Sequence, residues 1–591
     1  MSNVYVSPTG NDDTGDGTSG NPWETIANAK TRVVELGLVG VGMTDHCTIN
    51  LAPYVHRLSA KLSHGLAQSG QNGYRLRYVG QGRPGSARIL ASQRVTDWTV
   101  HAGSVWKATI GTTPIHTLYD NGRRAYKARW PKHVLNVALP MAKGPYIRAE
   151  AGTDGTMIQY PAVSMDPGTW GSLAQLEVVV DSGGSFIWFT DVVPVQSINT
   201  GTRQITLTRS TRYDIMNTTL GSRFYCQNAL ALLTQAGEFF HDTTSGVLYY
   251  WPWTGVDPNL LDIEAPLMTT AIEFLGTDGN NPCHDIELNG VGVFFTDFTD
   301  DYSYAWRLEG ESGEGHVYGA YDRIMTRPEH RQGIVTLTDC QRITFRNVEL
   351  GGAGYNGIYE HGFNQDHDFR GTLVRRCGMG GHYRDGGRPG EGDVSRDNRM
   401  SNALFAYCGE LLVHGAGVTQ INAGHNDHDD IAIHQCAGQG YAIHSYSFGG
   451  GGFPTPDAAD LYAEGNVARR VFVRDVCQDR GDVGAMGVGG IGSRLAGPAK
   501  VNTIDGFDIY GVISAADMYD QIPDGLFSDN EAKGQVRRNG WIGNTAGAAA
   551  RENSADSVGT QTYENVQGVS EDFDGDLVPP CGVTAEFPFG R

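Results

Sequence analysis

GTLVRRCG, residues 371–378, is the stretch on which the fold turns. It alternates apolar and polar side chains and closes on cysteine and glycine. The same form returns in ALFAYCG (403–409), DIAIHQC (430–436) and RVFVRDVC (470–477). A two-residue period sends alternate side chains to opposite faces, the mark of a strand with one buried face. Cys377, Cys408, Cys436 and Cys477 recur at 28- to 41-residue intervals, which predicts one reduced cysteine per turn of a stacked array.

Working outward, HDIELNGVGVFF (284–295), QRITFRNVEL (341–350), DGFDIYGVI (505–513) and GQVRRNGWIGN (534–544) repeat the pattern. One such turn cannot cover its own apolar face, so neighbours must stack. The two-residue period excludes a helical array. A propeller needs blades of ~40–45 residues with four strands each. The shorter units here predict an all-β protein built as a parallel β-helix, a solenoid, over 265–556. The first 40 residues read as a strand at Val4–Val6, a polar loop, and a short capping helix from about Trp23 to Leu36. Residues 41–264 hold strand-like runs without a repeat, such as YRLRYVG (74–80), LEVVVD (176–181) and RQITLTR (203–209). They predict early coils carrying an inserted, irregular β-rich domain. Residues 557–591 are expected to form a tail that caps the last coil and blocks its open edge.

Composition agrees with this reading. Glycine supplies 80 of 591 residues, about twice the ordinary ~7% share, with no collagen period. The formal charge of −21 argues against binding nucleic acid or an anionic membrane through a broad basic surface. No run reaches the ~18 apolar residues of a membrane span. The N-terminus shows neither a basic nor an apolar signal region, so the chain is made without a signal or has lost one. Nine cysteines, far apart and without a CxxC pair, fit neither a zinc site nor a disulfide framework. No cofactor is expected. Calcium is a minor possibility at Asp12, Asp13 and Asp16, which lack the full ligand spacing of a known loop.

Chemistry concentrates late in the chain. CQDRGDVGAMGVGG (477–490) sets Asp479 and Asp482 beside Arg480, then places five glycines in ten residues (481–490). A sugar chain laid on a β-helix needs side chains removed so that the backbone can approach; turn chemistry is the plainer reading. AGHNDHDDIAIHQC (423–436) and YAIHSY (441–446) add His434, His444 and Tyr446. Imidazoles suit proton transfer or sugar hydrogen bonding. The His425–Asp430 run reads as a solvated turn before a metal site. Arg480, Arg494 and Tyr446 would serve an anionic sugar, and would then bring lyase chemistry into contention.

Several segments, in order, resemble the right-handed β-helix proteins related to glycoside hydrolase family 141. They are VYVSPTGNDDTGDGTSGNPWETIANA (4–29), LYDNGRRAYKARWP (118–131), RFYCQNALALLTQAGEFFHDTTSGVLYYWP (223–252), GDVGAMGVGG (481–490) and DGLFSDNEAKGQVRRN (524–539). The resemblance implies a right-handed coil and a groove that binds and cuts a polysaccharide by acid/base hydrolysis. By motif position it implies catalytic Asp482 and Asp529, with Asp479 as a further acid. Met486 and Gly487 stand where the family carries an aromatic residue. The competing expectations are a phage tail spike or fibre that recognises a surface glycan, with or without depolymerase activity, and a polysaccharide lyase. Either way the expected partner is a polysaccharide or cell-surface glycan. The expected location is extracellular or the virion surface, as a monomer, or as a homotrimer if a spike.

Overall fold

The structure is a computed structural model. It describes residues 2–137, 139–182, 189–211, 215, 221–303, 332–386, 395–445, 465–480, 484–490, 502–510, 524–529, 534–542, 550–552 and 562–567; from Asn502 onward it describes the backbone.

Two long parallel sheets carry the architecture, and the chain alternates between them. The first stacks Ser2–Val6, Cys47–Leu51, Leu76–Gly80, Ile286–Asn289, Thr344–Ala353, Asp368–Cys377, Arg399–Cys408, Asp427–Cys436, Val467–Arg474, Asn502–Tyr510, Gly534–Ile542 and Thr562–Gln567. The second stacks Leu62–His64, Ile272–Leu275, Gly333–Gln341, Asn356–Gln365, His382–Asp385, Val418–Ile421, Tyr441–Ser445, Gly484–Gly490, Asp524–Asp529 and Ala550–Glu552. Stacking therefore continues past residue 556, into the segment read from sequence as a cap. The opening helix, Ile26–Glu35, is N-capped by Thr25 and buries Ile26, Ala29 and Val33 against the first coils.

Five successive first-sheet strands, from Thr344–Ala353 to Val467–Arg474, bend twice, five residues apart. Asn347, Gly371, Asn402, Asp430 and Arg470 take positive φ at one bend; Gly352, Arg376, Tyr407, Gln435 and Asp475 do so at the other. The bends fold each strand around the core. The inward column Val348–Thr372–Ala403–Ile431–Val471 is in register and fully buried. Cys377, Cys408 and Cys436 are also in register, and the eight described cysteines are buried. Cys477 does not continue that column. His434 pairs with Arg474, which puts Val476 level with Cys436 and Cys477 one place beyond.

Polar ladders lock the coils. Asn398 donates to Asn426 Oδ1, and Asn426 to Asn466 Oδ1, each at 2.9 Å and fully enclosed. Inside the second sheet, Glu360 accepts from Arg384 at 2.8 and 2.9 Å and lies 2.7 Å from His382 Nε2. Gln420, Tyr441 and His428 continue this chain inward.

Between Leu90 and Ile272 the chain leaves the coils to build the insertion. It has an eight-stranded sheet with Ser92–Arg94 and Thr99–Ala102 at its edges, and a seven-stranded sheet that includes Glu177–Ser182 and Arg223–Gln227. Its pairings are antiparallel except between Tyr126–Lys127 and Glu238–Phe239. Among the described residues no helix is long and apolar enough to cross a membrane.

Candidate active site

The insertion sits on the outer face of the second sheet. Val179, Val192 and Tyr225 of the insertion pack with Tyr355, Tyr359, Tyr383 and Ile421 of the coils, together with Phe298 and Tyr302. Burying aromatic rings on both sides makes this a fixed junction. Ionic contacts add to it. Arg124, enclosed completely, binds Glu410 Oε2 at 2.7 Å, and Arg376 binds the other oxygen at 2.9 Å.

The junction ends on the loop that precedes the glycine-rich strand. Asp479 Oδ2 accepts from Tyr146 Oη at 2.6 Å and from the Lys143 amide at 2.9 Å. Asp479 Oδ1 lies 2.9 Å from Arg223 Nη2, which also donates to the Asp479 carbonyl at 2.5 Å. Arg223 in turn binds Asp181 at 2.5 Å and lies over the Tyr146 ring at 4.2 Å. Gln478 Oε1 accepts from the Met141 amide at 2.9 Å. Asp479 and Arg223 are both 0% exposed. Asp479 was expected as a catalytic acid; its carboxylate is instead committed to three insertion residues and closed to substrate. It anchors the loop that leads to Asp482.

Asp482, Tyr446 and Arg494 lie outside the described residues. Arg480, half-buried, follows the anchor directly. His434 and His444, expected in one groove, fall on different sheets. His434 sits on the first, in register with Ala406 and Arg474, edge-on to Tyr407 at 5.7 Å. Burial, then the nearby Arg474 charge, pushes its pKa down to about 4, so it is neutral near pH 7. His444 sits on the second sheet in the column His361–Asp385–Ile421–His444–Gly489–Asp529. At ~4.8 Å per rung, His444 and Asp529 are about 10 Å apart along that column.

The column alternates with the buried positions Ile443 and Met486, so it belongs to the outer face. Tyr359, Tyr383, Thr419, Ala442, Gly487 and Phe527 form its neighbour. The face thus carries aromatic bulk beneath the insertion and glycine at positions 487 and 489. Gly487 has a local cause as well: a Cβ there would meet Gln439 Nε2 at 2.2 Å. The register also separates the acids. Asp529 is level with Gly489, whereas Asp524 is level with Gly484, about 16 Å back along the strand. Asp385 was not singled out from sequence; only the strand pairing gives it a place on this face.

One reading of a turn is also revised. The His425–Asp430 run leads into strand Asp427–Cys436, where His428 faces the core against Tyr441. Asp427 pairs with Arg469, and Asp429 and Asp430 with Arg470. Asp12 receives the Glu24 and Thr25 amides at 2.8 and 3.0 Å and so ties the opening loop to the helix start. Among the described residues no group of three or more His, Cys, Asp or Glu is placed to hold a metal ion.

Fold and junction together define a class: a parallel-sheet coil with an antiparallel insertion clamped across one outer face. Residues 211–253, inside the insertion, match the GH141 insertion domain, and the chain resembles glycoside hydrolase family 141. A solved structure described as a glycoside hydrolase superposes over 100% of both chains, with a TM-score of 0.70 at 16% identity. That likeness shows the fold. XylC in complex with xylose aligns over 93% of this chain and 70% of its own at 11% identity, with a TM-score of 0.35. The Pseudomonas phage phi297 tailspike aligns over 89% and 73% at 10% identity, with a TM-score of 0.22. No curated protein matches the chain.

Proposed function

We propose that this chain is a glycoside hydrolase that cuts a polysaccharide on the outer face of the second sheet, beside the insertion. The observation that carries the proposal is the match of residues 211–253 to the GH141 insertion domain, on a domain clamped to that face through Asp479 and Glu410. Likeness of fold to a glycoside hydrolase over the whole chain supports it. The coil is proposed to be right-handed, the sense of the family it resembles.

Hydrolysis needs one carboxyl to protonate the glycosidic oxygen and a second to activate water or to attack the anomeric carbon, at ~5–9.5 Å separation. Asp482 and Asp529 are the proposed pair, with His444, Tyr446, Arg480 and Arg494 as sugar contacts. Asn variants at the two positions sort the roles. A true acid or base loses ~10²–10⁴-fold in kcat with an unchanged melting profile. Full activity in Asp482→Asn overturns the assignment, and unsaturated products move the chemistry to a lyase.

A further inference from the structure

A second groove lies on the first sheet, away from the proposed cutting site. Its floor comes from the coils: Leu90, Phe294, Gly351 and Arg375 are in register on successive rungs, with Arg57 at the near end. Its wall is the insertion hairpin Asn121–Gly122–Arg123 and the strand end at Asp262–Glu264. The cavity volume is about 480 Å³, inside the ~300–1,000 Å³ range of small-ligand sites.

Its charge is the unusual feature. Arg57, Arg88, Arg94, Arg123, Arg375 and Arg376 line it, against two carboxylates, Asp262 and Glu264. Four of the arginines have acid partners: Arg57 with Glu264 at 2.7 Å, Arg94 with Asp262 at 3.0 Å, Arg376 with Glu410 at 2.9 Å, and Arg375 with Glu349. Arg88 and Arg123 form no salt bridge of their own among the described residues; the Arg88 charge acts only on Glu349, which is already bound by Arg375. Arg88 lies over the Phe294 ring at 4.9 Å and Arg123 over Trp253 at 3.5 Å. The rings hold both guanidinium groups in place while leaving their donor edges unused. Guanidinium groups gathered in one groove repel each other, in a chain of formal charge −21 that has acids to spare. Planar donors fixed above an aromatic floor fit a sugar ring that bears an oxyanion.

We propose that this groove binds an anionic unit of the polysaccharide, a sugar carrying a carboxylate or a sulfate ester, through Arg88 and Arg123. The inference rests on the glycan-cleaving reading and narrows its substrate to an acidic polymer.

The test is calorimetric titration of the full chain with four probes: a uronic-acid oligosaccharide, a sulfated oligosaccharide, a neutral oligosaccharide of equal length, and inorganic sulfate. Wild type is compared with Arg88→Gln and Arg88→Gln/Arg123→Gln, each first checked for an unchanged thermal transition. The single variant guards against a fault caused by unstacking Trp253. Expected is binding of one acidic oligosaccharide, weakened ~10-fold or more in the single variant and further in the double, and weakened in wild type by added salt. Which acidic probe binds tells carboxylate from sulfate ester. Neutral binding that equals acidic binding and ignores both variants overturns the anionic inference and leaves the glycan reading standing. Inorganic sulfate binding as tightly as either oligosaccharide overturns the sugar-bearing part of the proposal.

Discussion

Replacing Asp479 by Asn separates an anchor from a catalytic acid. The carboxylate is 0% exposed, accepts from Tyr146 Oη at 2.6 Å and the Lys143 amide at 2.9 Å, and lies 2.9 Å from Arg223 Nη2 in an ion pair. The Lys143 ammonium lies 3.7 Å away. An amide keeps the shape but cannot balance two buried cations. Asp181 still pairs with Arg223, and Lys143 loses its near counter-ion. Removing one member of a buried pair costs ~3–5 kcal/mol. The strain falls on the segment 139–146 and on the loop at 478–480, so local opening should precede global unfolding. At ~1.4 kcal/mol per decade, amide exchange at Met141 and Lys143 rises about 10²- to 10³-fold or more. Hydrogen exchange read by mass spectrometry over 139–148 is the assay, with turnover measured on the same samples. Unchanged exchange there with a thousandfold fall in turnover would refute the anchoring role, since that is how a catalytic acid behaves.

Other expectations follow from buried polar groups. Burial pushes the Asp297 carboxyl up to about 6 despite donors from His116 and Thr117. Its protonated form is therefore favoured by folding: the stability it allows is whole below about 4 and declines as pH rises through 6, by ~3 kcal/mol at most. Asp297→Asn should gain on wild type in denaturant titrations at pH 7 and lose that advantage at pH 4. Glu360 behaves in the opposite sense. Burial opposes its charge, but Arg384 and His382 hold it well below the usual carboxylate range. Its contribution is present above about 4.5 and is lost as pH falls, and Glu360→Gln should destabilise by ~3–5 kcal/mol at pH 7 in chemical denaturation. Asn426→Ala strands Asn398 and Asn466 inside the ladder and should cost ~1–3 kcal/mol by the same measurement.

Much of the first sheet can be read directly from residues. Strands such as Asp368–Cys377 and Asp427–Cys436 keep enough apolar residues on their core side to be seen, although the two bends bury several consecutive residues in the middle of each. Most second-sheet strands escape that reading. His382–Asp385 sends His382 and Arg384 into the core, Val418–Ile421 sends Gln420, and Gly484–Gly490 is nearly without side chains. Polar residues satisfied by one another inside the coil look, in sequence, like residues facing solvent. The same blindness made Asp479 resemble a free acid, because its partners Tyr146 and Arg223 lie more than 250 positions away. His434 and His444 are ten residues apart, yet a turn between the sheets puts them on separate faces. The arginine groove is equally invisible, since its lining is drawn from residues 55 to 376.

The most direct measurement is the product profile on a glycan panel that includes neutral, uronic-acid and sulfated polymers, for wild type and Asp482→Asn. New reducing ends without unsaturated sugars, produced by wild type and abolished in the variant, are the predicted result. Unsaturated ends, or glycan binding with no cleavage at all, would contradict a hydrolase on this face.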